Sequence, residues 1–498
     1  MSCRIFIGQV YQARASDCLE CSSRALLVVS AVSGKIVKFV ENYTKCELFT
    51  PEEAAVPESV FNDPFERIDN GSTSTLRHRD GSLSLDRSGL EKLAGAPILD
   101  IHVLERGTFL LPGLIDTHLH APQYSFTGTG YDLTLLEWLR TYTFPREQSF
   151  SSDTLSSKVY DAVVARSLAN GTTTASYFAT HHIPAAVTLV KKMQSRRQRG
   201  FVGVVCMDQN VPTDMMVADA AKHTRDFMQL VESTTSDDDS LVQPIVTPRF
   251  AVSCTAGMLE SLGTLMKTYN SSPDNPRRLL MQTHISETPD EVAWVKELFP
   301  GSLDYAGVYA DAGLLTRDSV MAHCVHLNPR ELGLFRDRNV GISHCPTSNL
   351  MLESGILDVR ALLDSGYEKI GLGTDVAGGF TPSLLETMRH AILSSKMLKI
   401  ERRLAGKEKE YRAIGFVEAL YLATLGGARV LNLQDCVGTL DDGMDFDAIV
   451  VDLNGRSGHG KIDLFGGDSE RDILEKFVYL GTEANISAVW VKGKPADK

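Results

Sequence analysis

The sequence has no long apolar run and no signal-like start. None of its 498 residues lies in a stretch that approaches the roughly 18 consecutive apolar residues of a membrane-spanning helix. The first residues, MSCRIFIGQVYQ, lack the basic region, apolar region and cleavage site of a signal peptide. We therefore expect a cytoplasmic protein with no membrane partner.

Positive charge and paired metal-binding cysteines are also scarce. The net charge of -13 argues against sequence-independent nucleic-acid binding, which needs clustered Lys and Arg, and favours small-molecule partners. The nine cysteines are predicted to be reduced thiols. Cys18 and Cys21 form one C-x-x-C pair, and because no second pair follows at zinc-site spacing, we expect no structural metal there.

Eight short apolar segments that end in polar residues recur between residues 109 and 378. Runs with helical periodicity separate them, and this alternation predicts an α/β fold, specifically a (β/α)₈ TIM-like barrel. A doubly wound open sheet is the structural alternative, but no glycine-rich phosphate loop follows the first strand. The segments are FLLPGLIDTHLH, GTTTASYFAT, GFVGVVCMDQ, QPIVTPRFAV, RLLMQTHISE, DSVMAHCVHL, VGISHCPTSN and KIGLGTDVAG.

The two ends of the chain are rich in strand-like segments. Each end alone offers few strands, so we expect residues 1–108 and 431–498 to form one small accessory β-sandwich around the barrel domain, residues 109–430. Residues 54–97 are rich in Ser, Asp, Arg and Gly and are predicted to be a surface insertion that is poorly ordered.

The first barrel segment ends in two histidines with one residue between them. In a strand, residues two apart project from the same face within about 6 to 7 Å. The imidazoles of His118 and His120 can therefore converge on one cation at the mouth of the barrel, where such folds place their active sites.

Two further metal donors follow other predicted strands. His284 ends the fifth segment and Asp375 the eighth, and three imidazoles with one carboxylate suit zinc or iron with one position left for water. Two-metal hydrolases on this architecture carry a lysine near the fourth strand, and QPIVTPRFAV has none, so we predict a single ion. Metal binding lowers the pKa of bound water from about 15.7 toward 7, which makes a hydroxide nucleophile available at neutral pH.

Three residues are candidates for proton transfer. Asp375 is predicted to take the proton of the attacking water, and His323 to hold the hydroxide and stabilise charge. Glu287, three residues beyond His284, is predicted to protonate a ring nitrogen beside the attacked carbon and to pass protons to departing ammonia. We expect His344 to line the site without binding metal, and five other histidines to be structural: His102, His181, His182, His326 and His390.

Several motifs resemble those of the amidohydrolase superfamily and, within it, the guanine deaminase family. D-T-H-x-H and G-T-D-V are typical of the superfamily, whereas P-Q-Y-S-F, T-Y-T-F-P and T-P-R-F are typical of the guanine deaminases. The resemblance covers about Phe109 to the end of the chain and includes LLEWLRTYTFPRE, NGTTTASYFAT and SHCPTSNL. The chain departs from the family mainly in residues 54–97, which contain none of the proposed ligands.

This resemblance implies an enzyme of purine catabolism that converts guanine and water to xanthine and ammonia by attack at C2. It implies one zinc ion per subunit, held by His118, His120, His284 and Asp375, and a homodimer. It also implies Glu287 and His323 as proton-handling residues. The implied purine contacts are Gln123, Arg249 and Phe250, which offer amide groups, fixed donors and an aromatic face.

Two rival functions remain at this level. One keeps the metal site but deaminates another aminated heterocycle, such as a pterin, a triazine or cytosine, because a pocket's preference can depend on one contact. The other is a catalytically silent scaffolding homologue. The complete set of ligands together with Glu287 and His323 argues against a silent protein.

Overall fold

The fold is taken from a computed structural model of the chain. The structure describes residues 2–41, 65–69, 74–78, 84–104, 107–235, 239–275, 277–407, 411–455 and 459–498. These residues form two compact units. One comprises residues 1–114 and 435–496, and the other comprises residues 115–434 and 497–498.

The first unit begins with a long antiparallel hairpin. Its partners β1 and β2 are each 13 residues long, and β1 also pairs in parallel with β7 and β8. The strands of this part of the chain are β1 (Cys3–Ala15), β2 (Cys18–Ser30), β3 (Ile36–Val40), β4 (Phe65–Asp69), β5 (Ser74–His78), β6 (Ser84–Asp86), β7 (Ile98–Val103) and β8 (Thr108–Pro112), with helix α1 (Arg87–Ala94) before β7.

Strand alternation buries both faces of the hairpin. Successive side chains of a strand point to opposite faces. On β1, Ile5 and Ile7 belong to one hydrophobic cluster and Phe6 to another. On β2, Leu26 packs with the first cluster and Leu27 with the second. The sheet is therefore a core element rather than a solvent-exposed flap.

The predicted insertion, residues 54–97, is described only in part. Strands β4, β5 and β6 form a small antiparallel sheet of their own. Residues 54–64, 70–73 and 79–83 lie outside the described residues. The prediction that they are poorly ordered therefore stays a prediction.

Eight parallel strands of the described chain form the second unit's sheet. Their spatial order is β13-β11-β10-β9-β18-β17-β16-β15, and a parallel bridge between Val246 and Met281 joins the two ends. The sheet therefore closes on itself, as the TIM-barrel prediction requires. The strands are β9 (Leu114–His120), β10 (Thr172–Phe178), β11 (Arg199–Gly203), β12 (Val205–Cys206), β13 (Val242–Pro244), β14 (Thr247–Pro248), β15 (Met281–Ile285), β16 (Ser319–His323), β17 (Gly341–His344) and β18 (Ile370–Leu372), of which β12 and β14 pair separately.

The prediction of one barrel strand from Phe109 to His120 is wrong in its first half. Residues Thr108–Pro112 form β8, which pairs with β1 and β19 in the first unit's sheet. Pro112 has no backbone N–H and so cannot donate to a sheet ladder, and the chain changes sheets at this point. The barrel strand β9 begins at Leu114.

Helices follow the barrel strands, as in a (β/α) alternation. Within the described residues, no helix combines the length and the apolar character needed to cross a membrane. The helices are α2 (Leu135–Trp138), α3 (Phe144–Gln148), α4 (Asp153–Ala169), α5 (Ile183–Arg196), α6 (Ala220–Thr234), α7 (Ala256–Ser271), α8 (Pro289–Leu298), α9 (Tyr305–Asp311), α10 (Pro329–Arg338), α11 (Pro346–Met351), α12 (Val359–Asp364), α13 (Leu384–Leu404), α14 (Phe416–Tyr421) and α15 (Gly427–Val430).

The end of the chain returns to the first sheet. It contributes β19 (Ala448–Asp452), α16 (Glu470–Leu480), β20 (Ile486–Val491) and β21 (Lys494–Pro495). The sheet order is β21-β20-β19-β8-β1-β2-β3, with β7 on β1. Strands from both ends of the chain thus share one sheet, while its arrangement as a sandwich stays a prediction.

Two helix glycines allow a matched test of how closely the helices around the barrel pack. A Cβ on Gly263 of α7 would lie 1.8 Å from the Ala312 carbonyl oxygen, whereas a Cβ on Gly333 of α10 would meet nothing within 4 Å. We expect Gly263→Ala to destabilise the fold by about 1–3 kcal/mol through overpacking. Gly333→Ala should stabilise it by about 0.5–1 kcal/mol, because alanine loses less backbone entropy. Thermal melting of both variants is the measurement, and equal melting temperatures would contradict the packing described.

Candidate functional site

The histidine pair lies at the end of the first barrel strand. Every residue of β9 is buried, and the ring centroids of His118 and His120 are 5.0 Å apart. The His120 N–H donates to the Val376 carbonyl (2.9 Å), and the Asp375 N–H donates to the His118 carbonyl (2.9 Å). These backbone bonds place the segment after β18 beside the end of β9, as adjacent barrel strands require.

Four side chains that can bind a cation meet at this point. The candidate ligand atoms of His118, His120, His284 and Asp375 all lie within 4.8 Å of one another, and all four residues form one buried group. Asp375 Oδ1 is 3.1 Å from His118 Nε2 and 3.3 Å from His120 Nε2. His120 Nε2 is 3.1 Å from His284 Nε2. The structure thus brings together the four residues predicted as ligands.

The protonation of these groups suits a cation. Burial lowers the pKa of all three histidines: the pKa of His118 falls, that of His120 falls to about 4, and that of His284 falls well below its ordinary value. The imidazoles are therefore neutral, and their lone pairs are available to a cation. Burial alone would raise the pKa of Asp375, but the nearby His118 and His120 hold it well below its ordinary value. The set therefore offers three neutral nitrogens and one charged oxygen.

Unsatisfied polar atoms support the same interpretation. The His284 Nδ1–H donates to the Arg249 carbonyl (2.6 Å), which fixes the tautomer and leaves Nε2 as an acceptor. Nε2 of His118 is buried without a hydrogen-bond partner in the described structure, despite its short distance to Asp375. Buried polar atoms without partners are unusual, and a cation between these atoms would satisfy them.

A second group of candidate ligands shares one of these histidines. It consists of His118, His323 and Cys345. Burial, and then the charge of Asp375, raises the pKa of the Cys345 thiol well above its ordinary value. Because the thiolate is the form that binds metal, the three-histidine, one-aspartate group is the better cation site.

Glu287 and His323 face each other beside these donors. Glu287 Oε2 is 3.5 Å from His323 Nε2, which is 3.8 Å from Asp375 Oδ2. The His323 Nδ1–H donates to Asn349 Oδ1 (2.8 Å), so Nε2 points to the site as an acceptor. Burial, and then the charges of Asp375 and Glu291, raises the pKa of Glu287 well above its ordinary value. Glu287 can therefore hold a proton at a pH where Asp375 does not.

The backbone at the strand ends is in an unusual conformation. Ser286, His323 and Asp375 have φ angles of 50°, 70° and 46°, in the left-handed region that non-glycine residues rarely adopt. Ser286 follows the last residue of β15, so the chain turns between His284 and Glu287 and the two side chains can serve one site. Such conformations cluster at functional sites.

A cavity opens onto this group, and polar and apolar side chains both line it. The predicted substrate contacts Gln123, Arg249 and Phe250 all line it. His344 is buried but does not line it. One wall of the cavity is apolar, and the sequence analysis did not predict it. The segment LLEW belongs to a motif quoted above, but nothing in its pattern indicated a cavity. The wall residues are Leu135, Trp138, Leu139 and Leu352.

A buried glutamate that the prediction also missed holds two of the lining residues. Glu147 of α3 accepts hydrogen bonds from Arg249 Nη1 (2.6 Å) and Nη2 (3.1 Å). It also accepts one from Gln123 Nε2 (3.1 Å). The Ala377 N–H donates to Gln123 Oε1 (3.3 Å). Glu147 closes the LLEWLRTYTFPRE stretch, which was the available signal.

The other histidines lie outside the four-residue group. Three of them have polar partners of their own: His182 contacts the Gln148 carbonyl, His326 the Ser354 carbonyl and His390 the Thr347 hydroxyl. His102 stacks on Phe6, and His181 lies against His182. Among the described residues, none of these five histidines, nor Cys18 or Cys21, belongs to a group that could hold a metal ion.

Comparisons with known proteins agree with the geometry. The model of the amidohydrolase family matches residues 109–496. The guanine deaminase of Dictyostelium discoideum is 42% identical over 392 residues, which are 78% of this chain and 83% of that protein. The guanine deaminase of Homo sapiens is 43% identical over 399 residues, 79% of this chain and 84% of that protein.

A solved structure is also similar over the whole chain. It is the crystal structure of a guanine deaminase from C. acetobutylicum with guanine bound in its active site. The TM-score is 0.78 at 31% sequence identity, and the match covers 99% of this chain and 100% of the other.

Proposed function

The chain belongs to the amidohydrolase family, and from this premise we propose that it is a guanine deaminase, which hydrolyses guanine to xanthine and ammonia. One observation carries the proposal. One cavity is lined by His120, His284 and Asp375 of the four-donor cation group, by the Glu287–His323 pair and by Gln123 and Arg249. The guanine deaminase relatives are similar to this chain over most of their own length, and this similarity supports guanine as the substrate.

We propose that His118, His120, His284 and Asp375 hold one zinc ion per subunit. Neutral imidazoles and one carboxylate are typical zinc ligands, and a four-donor set with a cavity beside it leaves room for water. When bound, the ion supplies a water molecule of lowered pKa that serves as nucleophile at neutral pH.

The protein groups around the donors would then move the protons. Asp375 accepts a proton from the water that attacks C2 of guanine. His323 Nε2 accepts a hydrogen bond from the same water and so holds the attacking oxygen. Glu287, protonated because it is buried beside other acids, donates to the ring nitrogen next to C2. Once ionised, it takes the proton of the new C2 hydroxyl and carries it to the departing amine. The C2–O bond forms, the C2–N bond to the amine breaks, ammonia leaves, and Asp375 returns its proton to Glu287.

We propose that the lining residues orient the base. Arg249 presents fixed N–H donors to the carbonyl oxygen of guanine, and the Gln123 amide offers its remaining N–H to a ring nitrogen. The Phe250 ring, 6.3 Å from the His284 ring by centroids, covers the planar base. Hydrogen bonding to a carbonyl discriminates against heterocycles that lack one, because the buried donors would stay unpaired.

We also propose the domain division into an accessory β-sandwich (1–108 and 431–498) and a catalytic barrel (109–430). The two compact units of the structure, with their change near residues 114 and 435, support it. A role in purine catabolism would follow from the proposed reaction, and the cytoplasmic location stays a prediction.

The first test is ammonia release by the purified, zinc-loaded protein from a panel of guanine, pterins, triazines and cytosine. We expect turnover of guanine above all others, loss of turnover on chelation and recovery when zinc is returned. No ammonia from guanine would overturn the proposal, and a preference for another heterocycle would replace the substrate.

Two histidine variants serve as controls for that test. His284→Asn should lower the zinc content, because it removes one of four ligands. His390→Asn, outside the group, should leave zinc content unchanged. Equal zinc content in both variants would remove His284 from the ligand set.

The role of Glu287 is tested by Glu287→Gln. The amide keeps the shape of the side chain but has no proton to transfer, so we expect turnover of guanine to fall by about 10²–10⁴-fold. Zinc content and melting temperature should stay near those of the parent protein. Normal turnover in this variant would show that another group carries the proton.

We further propose that the chain forms a homodimer through one face of α13. Four apolar residues of this helix are exposed: Leu393 (52%), Met397 (49%), Ile400 (49%) and Leu404 (80%). Their spacing of four, three and four residues is the repeat of a coiled-coil seam, which a second helix covers. On the opposite side the helix is buried, with Ala391 and Ser395 1% and 3% exposed.

The charges beside this seam favour a second copy of the same helix. In a parallel pair, the residue before a seam position such as Met397 faces, across the seam, the residue five positions later in the partner helix. Exposed Lys396 and Glu401 occupy these two positions, so each would face the opposite charge. We therefore take a second copy of the chain as the occupant of this face.

Ile400→Glu is the test of the dimer. It places a charge in the middle of the seam and should weaken dimerisation at least about tenfold, since central apolar residues contribute most to an interface. Leu303→Glu, at a residue 80% exposed outside α13, is the control and should leave the dimer intact. Sedimentation velocity measures both. A monomeric parent protein would contradict the homodimer, and an undiminished Ile400→Glu dimer would exclude this face.

A further inference from the structure

Glu147 lies behind the cavity wall rather than in it. It is 1% exposed and is not one of the residues that line the cavity, whereas Arg249 and Gln123 are. Its two carboxylate oxygens accept two hydrogen bonds from the Arg249 guanidinium and one from the Gln123 amide. Any effect of Glu147 on a ligand therefore passes through these two side chains.

The bidentate pair fixes the direction of Arg249. A guanidinium has five N–H donors in one plane, and the pairing with Glu147 uses one on each terminal nitrogen. The side chain also lies over the Phe144 ring, 5.7 Å from its centroid. Three donors in a fixed orientation remain for a ligand oxygen.

The same pair cancels the charge of Arg249. Both side chains are almost completely buried, at 3% and 1% exposure, so solvent screens them little and each charge is compensated by the other. A compensated guanidinium still donates hydrogen bonds to a neutral carbonyl oxygen. Its attraction for an anion is much weaker than that of an unpaired guanidinium.

We propose that Glu147 is a positioning residue that makes this cavity selective for a neutral oxo-heterocycle over an anionic one. The inference rests on the proposed function and deepens it. Xanthine, the product of that reaction, loses a ring proton more readily than guanine does. Glu147 therefore favours neutral guanine over the xanthine anion and limits product inhibition.

Glu147→Gln separates charge from shape. The amide keeps one oxygen for Gln123 but leaves Arg249 without its counter-charge. We expect the KM for guanine to rise about ten- to a hundredfold, because Arg249 loses its fixed direction. Inhibition by xanthine should become stronger relative to the parent protein at mildly alkaline pH, where xanthine is anionic, and less so at mildly acidic pH.

The matched control is Glu418→Gln. Glu418 forms a similarly buried pair with Arg360, with a 2.6 Å bond and exposures of 6% and 5%, away from the cavity. This variant should lose stability as Glu147→Gln does, with the KM for guanine and the inhibition by xanthine unchanged. A purely structural role of Glu147 predicts the same behaviour for both variants.

A double variant covers the case in which Glu147→Gln does not fold. Glu147→Gln with Arg249→Gln buries no unpaired charge and keeps an oxygen that accepts from the Gln123 amide, so its KM for guanine should equal that of Arg249→Gln alone. A KM clearly above that of Arg249→Gln would overturn the inference. So would an unchanged KM and unchanged xanthine inhibition in a folded Glu147→Gln protein that deaminates guanine. Failure of the parent protein to deaminate guanine would instead overturn the proposed function.

Discussion

The candidate site depends on the hydrogen bonds between the ends of two neighbouring barrel strands. The backbone bonds of His120 to Val376 and of Asp375 to His118 hold a carboxylate beside two imidazoles. Asp116 strengthens the connection, because its carboxylate accepts from the Thr374 N–H (3.0 Å) and hydroxyl (2.6 Å) and from the His118 N–H (3.2 Å). The first and last of the four cation donors, His118 and Asp375, are 257 positions apart in the sequence. They meet only because of this register between the strands.

Burial then gives chemically similar groups different protonation states. The imidazoles stay neutral because burial penalises their charged forms. Glu287 holds its proton for the same reason, and the charge of Asp375 adds to the effect. Hydrogen bonding with His118 and His120 instead holds the pKa of Asp375 well below its ordinary value despite its burial. Within one buried cluster the pKa of one carboxyl is thus raised and that of another lowered, and their environments rather than their residue types separate them.

The sequence predicted the features that follow from local pattern. Each barrel strand overlaps a predicted segment because buried strands are short apolar runs, and the four donors could be chosen because they end such runs. The change of sheet at Pro112 was missed, because the apolar run from Phe109 to Ile115 continues across it. Glu147 was missed for another reason. It lies 102 residues from Arg249, and no periodicity relates a glutamate on a short helix to an arginine at a distant strand end. Pairings of this kind depend on the folded loops.

The cavity has two sources in the chain. The cation donors come from strand ends, while Leu135, Trp138 and Leu139, which form much of the apolar wall, come from the connection between β9 and α4. The register of the barrel strands fixes the positions of the cation donors. The wall residues of the connecting segment take no part in that register. Descendants of an ancestral barrel could therefore have diverged in substrate by exchanging one connecting segment, with the hydrolytic centre inherited intact.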